Sequence, residues 1–269
     1  MSAERAGARR AGAQTVAGPP APPFDPAVAW HDVECGGYAA DLPLWRELAA
    51  ACGGPVLELG AGTGRVALEL AAAGHAVTAL DCDPALVMEC AARARERGLR
   101  VDTVCADARS FAIGRRFRLV VAPMQVVQLL EGAAARTAML ARVRDHLEHG
   151  GVFAPALADP FAGLPAADSL PPLPDTDERQ GWALASTPVA VREEASREGD
   201  RIVGIDRVRR ADAPHGASVE SAATIRLSVF PPDELADAAA AHGFRRLPER
   251  TVPETDAYVG STVLVLEAV

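Results

Sequence analysis

The stretch Val56-Leu-Glu-Leu-Gly-Ala-Gly-Thr-Gly-Arg-Val-Ala-Leu68 constrains this chain more than any other. A short aliphatic run reads as a buried strand, Gly60, Gly62 and Gly64 interrupt it, and helical spacing resumes at Arg65. Glycine accepts positive φ and lets a ligand reach the backbone where a Cβ would collide. The helix beyond the turn offers free N–H groups to a polar or anionic ligand. In open α/β sheets such a turn lies outside the carboxyl ends of the strands, where ligands bind. Dinucleotide folds favour G-x-G-x-x-G, but here the third glycine comes one residue early and Arg65 stands in the last place. That spacing moves oxidoreductase chemistry behind other uses of the fold.

Around this unit the chain alternates apolar runs with helical periods. The runs Val56–Leu59, Ala76–Leu80, Val101–Cys105, Leu119–Ala122 and Gly151–Leu157 are continuously apolar, as in parallel strands buried on both faces. Asp83 and Pro84 open one helix and Gly98 closes it. Ala135, Met139, Leu140, Val143 and Leu147 keep helical spacing up to a stop at Gly150. A further helix spans Leu42 to Cys52, and the stretch Trp30 to Tyr38 before it reads as irregular.

After Leu157 the pattern changes. Residues 158–185 read as a Pro- and Asp-rich loop, followed by alternating segments Val189–Glu193, Arg201–Val208 and Ser218–Val229 that form an antiparallel insertion. Helix resumes over Pro232–His242, and strands follow near Phe244–Leu247 and Thr262–Glu267. The implied organisation is a disordered tail over 1–23, an N-terminal segment and core over 24–157, a β lid over 158–230, and a closing helix and strands over 231–269. The tail reading rests on a start rich in Ala, Gly, Pro and Arg with almost no large apolar side chain.

Composition narrows the function. A net charge of -9 lacks the basic balance with which proteins grip phosphate backbones, so nucleic acid is an unlikely partner. All 27 basic residues are Arg and there is no Asn, which excludes a lysine Schiff base and an Asn-Pro-Pro-Tyr motif. The 5 cysteines form no Cys-x-x-Cys pair and read as reduced packing residues. His146 and His149 lack H-E-x-x-H spacing, so no metal is expected. No apolar run is long enough for a membrane span, and the expected location is the cytoplasm, an organelle transit peptide being the alternative reading of the Arg-rich start.

Glu58-Leu-Gly-Ala-Gly-Thr-Gly64 resembles the first motif of class I S-adenosylmethionine-dependent methyltransferases, E/D-x-G-x-G-x-G. Three further segments match in order: Val77-Thr-Ala-Leu-Asp81, Ala106-Asp107-Ala108 and Phe117 to Gln125, the last containing Pro123. The resemblance implies a doubly wound, mostly parallel seven-stranded α/β sheet with an antiparallel last strand, here carrying a β lid. It implies S-adenosyl-L-methionine as cofactor and S-adenosyl-L-homocysteine as product.

By that resemblance Gly60, Ala61, Gly62 and Gly64 cradle the cofactor, Asp81 binds the ribose hydroxyls, and Asp107 with Ala108 meets the adenine. Asp81 as a turn cap and Asp107 as a solvated turn acid are the alternatives. Cys82 lines the adenine pocket, Glu58 faces the loop backbone and the cofactor's amino group, and Pro123 ends the strand beside the methyl. Arg65 either reaches the methionine carboxylate or lies exposed.

Tyr38, or else Trp30, covers the cofactor or anchors packing. His31, Asp32 and Glu34 collect polar groups able to orient an acceptor or take its proton. Gln125 is a candidate contact to substrate or cofactor, with Gln128 on a helix surface. The expected activity is N- or O-methyl transfer to a small molecule or peptide in natural-product tailoring, leaning to nitrogen because Asp32 and Glu34 crowd one segment. RNA or protein methylation, and cofactor binding without transfer, are the competing readings. The chain is expected to be a monomer or homodimer.

Overall fold

The structure is a computed structural model that describes residues 21–158, 174–195, 201–255 and 258–269. In order, the chain forms α1 (Pro26–His31), a π-helical turn (Asp32–Gly36), α2 (Leu42–Cys52), β1 (Val56–Leu59), α3 (Arg65–Ala72), β2 (Val77–Asp81), α4 (Pro84–Glu96), β3 (Val101–Cys105) and β4 (Phe117–Ala122). A 3₁₀ turn (Val126–Leu129), α5 (Ala133–His146) and β5 (Leu147–Leu157) follow. Then come β6 (Asp175–Arg179), β7 (Trp182–Ala195), β8 (Arg201–Asp212), β9 (Ser218–Val229), α6 (Pro232–Ala240), β10 (Phe244–Val252) and β11 (Ser261–Ala268).

Seven strands make the main sheet in the order β10-β11-β5-β4-β1-β2-β3. Strands β3, β2, β1, β4 and β5 pair parallel, whereas β11 runs antiparallel to both β5 and β10. Alternation along each strand divides the core. Leu57, Leu59, Val120 and Phe153 join α5 and α6 on one face. Val56, Leu119, Val121 and Ala154 join α2 and α3 on the other, where Trp45 and Leu70 are fully buried. Burial on both faces is why β1 and β4 are apolar at almost every position, Glu58 and Arg118 being the exceptions. The remaining strands form a separate antiparallel sheet, β6-β7-β8-β9.

Several local expectations are corrected. Trp30 to Tyr38 is not irregular: Asp25 caps α1 through the Ala27 N–H at 2.8 Å, and the helix runs into the π turn. Residues 175–179 and 182–185, read as loop, are strands joined by Gln180 and Gly181, both at positive φ. That is the conformation a two-residue hairpin needs. Helix α5 ends at His146, not Gly150, because Leu147 already pairs with Phe117. Of the tail expected over 1–23 and the loop read over 158–185, residues 1–20 and 159–173 lie outside the described residues.

His146 has a plain structural duty. Its Nδ1 meets the Arg142 carbonyl at 2.7 Å, its Nε2 accepts the Ile113 N–H at 2.9 Å, and its ring packs on Phe111. Replacing it by alanine strands a backbone N–H and opens a void, so His146→Ala should lose about 1–3 kcal/mol in urea unfolding. Unchanged stability would show that water replaces the ring without cost. Among the described residues no group of three His, Cys, Asp or Glu side chains is placed to hold a metal. No described helix is long and apolar enough to cross a membrane.

Candidate active site

The glycine loop lies at the carboxyl end of β1 and is strapped to β2. Ala61 N–H donates to the Leu80 carbonyl at 2.9 Å, and Gly62 N–H donates to Asp81 Oδ2 at 2.8 Å. Asp81 Oδ1 accepts the Asp83 N–H at 3.0 Å. The capping use of Asp81 is therefore present, yet a carboxylate has about four acceptor sites and two remain. The loop needs glycine for its conformation and for close approach. At Gly60, φ is +64 and a Cβ would fall 2.5 Å from Val126 Cγ2. At Gly62, φ is +55 and a Cβ would fall 2.0 Å from His31 Nε2, so the His31 ring lies directly on the loop.

Glu58 is buried beneath this loop on the α2–α3 side. Burial pushes its carboxyl up to about 8, against the opposing Arg65 charge and the Ala67 N–H in the first turn of α3. Its Oε2 has no hydrogen-bond partner. Arg65 is neither exposed nor open. It forms a two-pronged pair with Asp41 at 2.6 and 2.8 Å, donates to the Tyr38 carbonyl at 2.8 Å, and lies over the Tyr38 ring. Asp41 also accepts the Trp45 Nε1–H at 2.8 Å. Tyr38 is buried with its ring 4.8 Å from that of Tyr258, so the packing role is visible. Trp30 packs instead against Trp182 and Leu184 of β7.

On the adenine side of the resemblance, Cys82 is exposed and Ala108 half-buried. Asp107 holds Arg109 through its backbone N–H and guanidinium. That surface pair is worth at most about 1 kcal/mol and is easily exchanged for another partner. Beyond β4, Pro123 is buried and Met124 adopts φ +56, uncommon for a residue with a Cβ. Gln125 follows as the residue that opens the 3₁₀ turn, its carbonyl accepting the Gln128 N–H at 2.8 Å. Gln128 is not on a surface: it is buried and clasps Ala158 through both its oxygen and its nitrogen.

The acidic segment is also placed otherwise than expected. Asp32 pairs with Arg93 and Arg179, and Glu34 with Arg209 and Arg207. Both carboxylates are spent on arginines, which removes the reason they gave for an amine acceptor. Asp32, Gly36, Gly37, Arg93, Asp175 and Tyr258 help line a cavity of about 530 Å³ between the N-terminal turn and β6. Its described lining includes no residue of the glycine loop, nor Cys82 or Asp107; a second cavity of about 220 Å³ shares Asp32, Gly36 and Arg93 with it and reaches Thr63, Gly64 and Arg65. Sequence reasoning missed Thr63, Arg93, Arg179 and Tyr258. Only Thr63 carried a local signal, as a hydroxyl between two loop glycines.

Comparison with known proteins agrees with this geometry. Residues 56–151 match the family described as a methyltransferase domain. No curated protein matches in sequence. Among solved structures, the sugar N-methyltransferase KedS8 from Streptoalloteichus is 20% identical with TM-score 0.68, covering 96% of this chain and 99% of its own. The glycopeptide N-methyltransferase MtfA is 26% identical with TM-score 0.57, over 84% of this chain and 86% of its own. A methyltransferase from Clostridium acetobutylicum shares the fold at 11% identity and TM-score 0.68, over 89% and 96% of the two chains. The chain thus carries a methyltransferase domain over residues 56–151 and has the fold of the class I S-adenosylmethionine-dependent methyltransferases.

Proposed function

We propose that this protein transfers the methyl group of S-adenosylmethionine to an amine of a small molecule or glycopeptide. The observation that carries the reading is the glycine loop strapped to Asp81 at the carboxyl edge of the sheet, where Thr63, Gly64 and Arg65 line a cavity of about 220 Å³. The residues fit the cofactor. Gly60, Gly62 and Gly64 present loop backbone without a Cβ, Ala61 buries its methyl in the core, and Asp81 keeps two acceptor sites for the ribose hydroxyls. Asp107 and Ala108 with Cys82 would border the adenine. Glu58 and Pro123 would flank the methionine end, with Arg65 acting through Tyr38.

When bound, the sulfonium supplies an electrophilic methyl. The chain's part is to hold an acceptor lone pair in line with it, exclude water and receive one proton. Positioning alone supplies several kcal/mol of such a barrier. His31, on the loop, is the candidate proton acceptor, Tyr38 closes the site, and Gln125 orients the acceptor at the end of β4. Nitrogen is favoured by likeness to sugar and glycopeptide N-methyltransferases, no longer by Asp32 and Glu34. We place the acceptor in the cavity lined by β6, with the β6–β9 sheet acting as a lid, and the protein in the cytoplasm.

The test is incubation with methyl-labelled S-adenosylmethionine and small-molecule, peptide and RNA fractions from the native source. Label on an amine in the first two fractions is the expected result. Label confined to RNA or to an oxygen atom would replace the acceptor class. Tight cofactor binding without label in any fraction would favour a non-transferring role.

A further inference from the structure

Three elements remote in sequence converge on the carboxylate of Asp32. Its Oδ1 accepts the Thr63 hydroxyl of the glycine loop at 2.7 Å and Arg93 Nη1 of α4 at 3.0 Å. Its Oδ2 accepts Arg93 Nη2 at 2.5 Å and Arg179 Nη2 from the end of β6. The preceding residue is His31, whose ring covers Gly62 and whose Nδ1 is 3.4 Å from the Thr63 hydroxyl. Arg93 is braced by Glu89 one helical turn away, at 2.8 Å. Arg179 precedes the tight Gln180-Gly181 turn, so its position follows that of the antiparallel sheet.

The electrostatics make this junction selective. Burial raises the Asp32 carboxyl, but the neighbouring His31, 3.9 Å away, with the hydrogen bonds from Arg93 and Thr63 and the Arg93 charge, outweighs it and holds the group well below the usual carboxylate range. Asp32 is therefore an ion in any working buffer. A part-buried anion with one donor removed must shift towards the remaining donors or admit water. Among the described residues, loss of Arg179 leaves Arg93 as the one arginine paired with Asp32 and lets the carboxylate shift away from Thr63.

We infer that Asp32 is a positioning residue that couples the β6–β9 sheet to the glycine loop, so that the loop's hold on the methyl donor depends on Arg179, a residue that does not touch the loop. This rests on the reading that the loop binds S-adenosylmethionine. If Arg179–Asp32 were only a seal at the edge of the sheet, its removal would loosen that edge and leave cofactor affinity alone.

A double-mutant cycle separates the two. Calorimetric affinities for S-adenosylmethionine and S-adenosylhomocysteine would be measured for the wild type, Arg179→Ala, Thr63→Val and the double variant. The same four would be measured in an Asp32→Asn background, with thermal melts confirming that each protein is folded. Each single change should weaken binding about tenfold. The double should lose about tenfold too, not a hundredfold, because both cut one path. In the Asp32→Asn background the coupling should vanish, whereas Arg179→Lys and Thr63→Ser should recover much of the affinity. Wild-type affinity in folded Arg179→Ala, or single effects that multiply, would overturn the inference while leaving the cofactor reading intact. Failure of the wild type to bind either compound would overturn that reading, and the inference with it.

Discussion

Asp81→Asn should weaken binding of S-adenosylmethionine at least a hundredfold while leaving the fold in place. The carboxylate accepts Gly62 N–H on one oxygen and Asp83 N–H on the other, leaving two acceptor sites for a diol. An amide keeps one oxygen. Its NH₂ must face either Gly62 N–H, donor against donor, or Asp83 N–H, and the negative charge is lost in both cases. Hydrogen bonds to charged groups are worth about 1.5–3 kcal/mol each. Losing the equivalent of two gives about 3–6 kcal/mol, or roughly a hundredfold to ten-thousandfold in affinity. Calorimetric titration of both proteins checks this. Binding within about threefold of wild type would show that Asp81 only straps the turn and that the ribose assignment is mistaken.

The core was legible where one physical rule dominated. A strand buried on both faces must be apolar on both, so β1 could be bounded to the residue, and Leu42–Cys52 was marked by its apolar spacing; β3 has the expected bounds but is a part-exposed edge strand, so burial on both faces is not what set them. The corrections arise where rules compete. Asp175-Thr-Asp-Glu-Arg179 has no apolar alternation because β6 is an edge strand with largely exposed side chains, and charge there discourages pairing with other chains. Leu147 fits the helical period of α5, but Phe117 pairs with it and draws it into β5.

The site divides in the same way. A glycine loop and the acid ending β2 are local in sequence, so Gly62 and Asp81 could be named together. The meeting of Asp32 with Arg93 and Arg179 spans 61 and 147 positions. In the sequence Arg93 shows only as the partner of Glu89 on one helix face. Nor could Asp32 and Glu34 be seen as spent charges, since their arginines arrive from α4 and from the antiparallel sheet. An acidic cluster reads as a binding feature only until its counterions are known.

Glu58→Gln should abolish a large pH dependence of stability. Glu58 alternates with Leu57 and Leu59 and therefore faces the α2–α3 side, beneath the loop. Burial raises its carboxyl from 4.5 to about 8; Arg65 and the Ala67 N–H oppose the rise, and Asp41 and Asp81 reinforce it. In the unfolded chain the group ionises near 4.5, whereas in the folded protein it keeps its proton until about pH 8. Its stabilising contribution is thus complete below the unfolded value, falls as pH rises between the two, and is exhausted above the folded one. The linkage amounts to several kcal/mol, on the order of 4. Asp32 and Glu34, both held below their ordinary values, act with the opposite sign on the acid side. The informative quantity is therefore the difference between wild type and Glu58→Gln, in which those contributions cancel. Gln is neutral at every pH and nearly the same shape, so the two proteins should be about equally stable near pH 4.5. The variant should pull ahead towards pH 8, by roughly 10 °C in Tm. Parallel stability curves from pH 5 to 9 would mean that Glu58 is solvated or paired in solution, and that no proton is taken up there on folding.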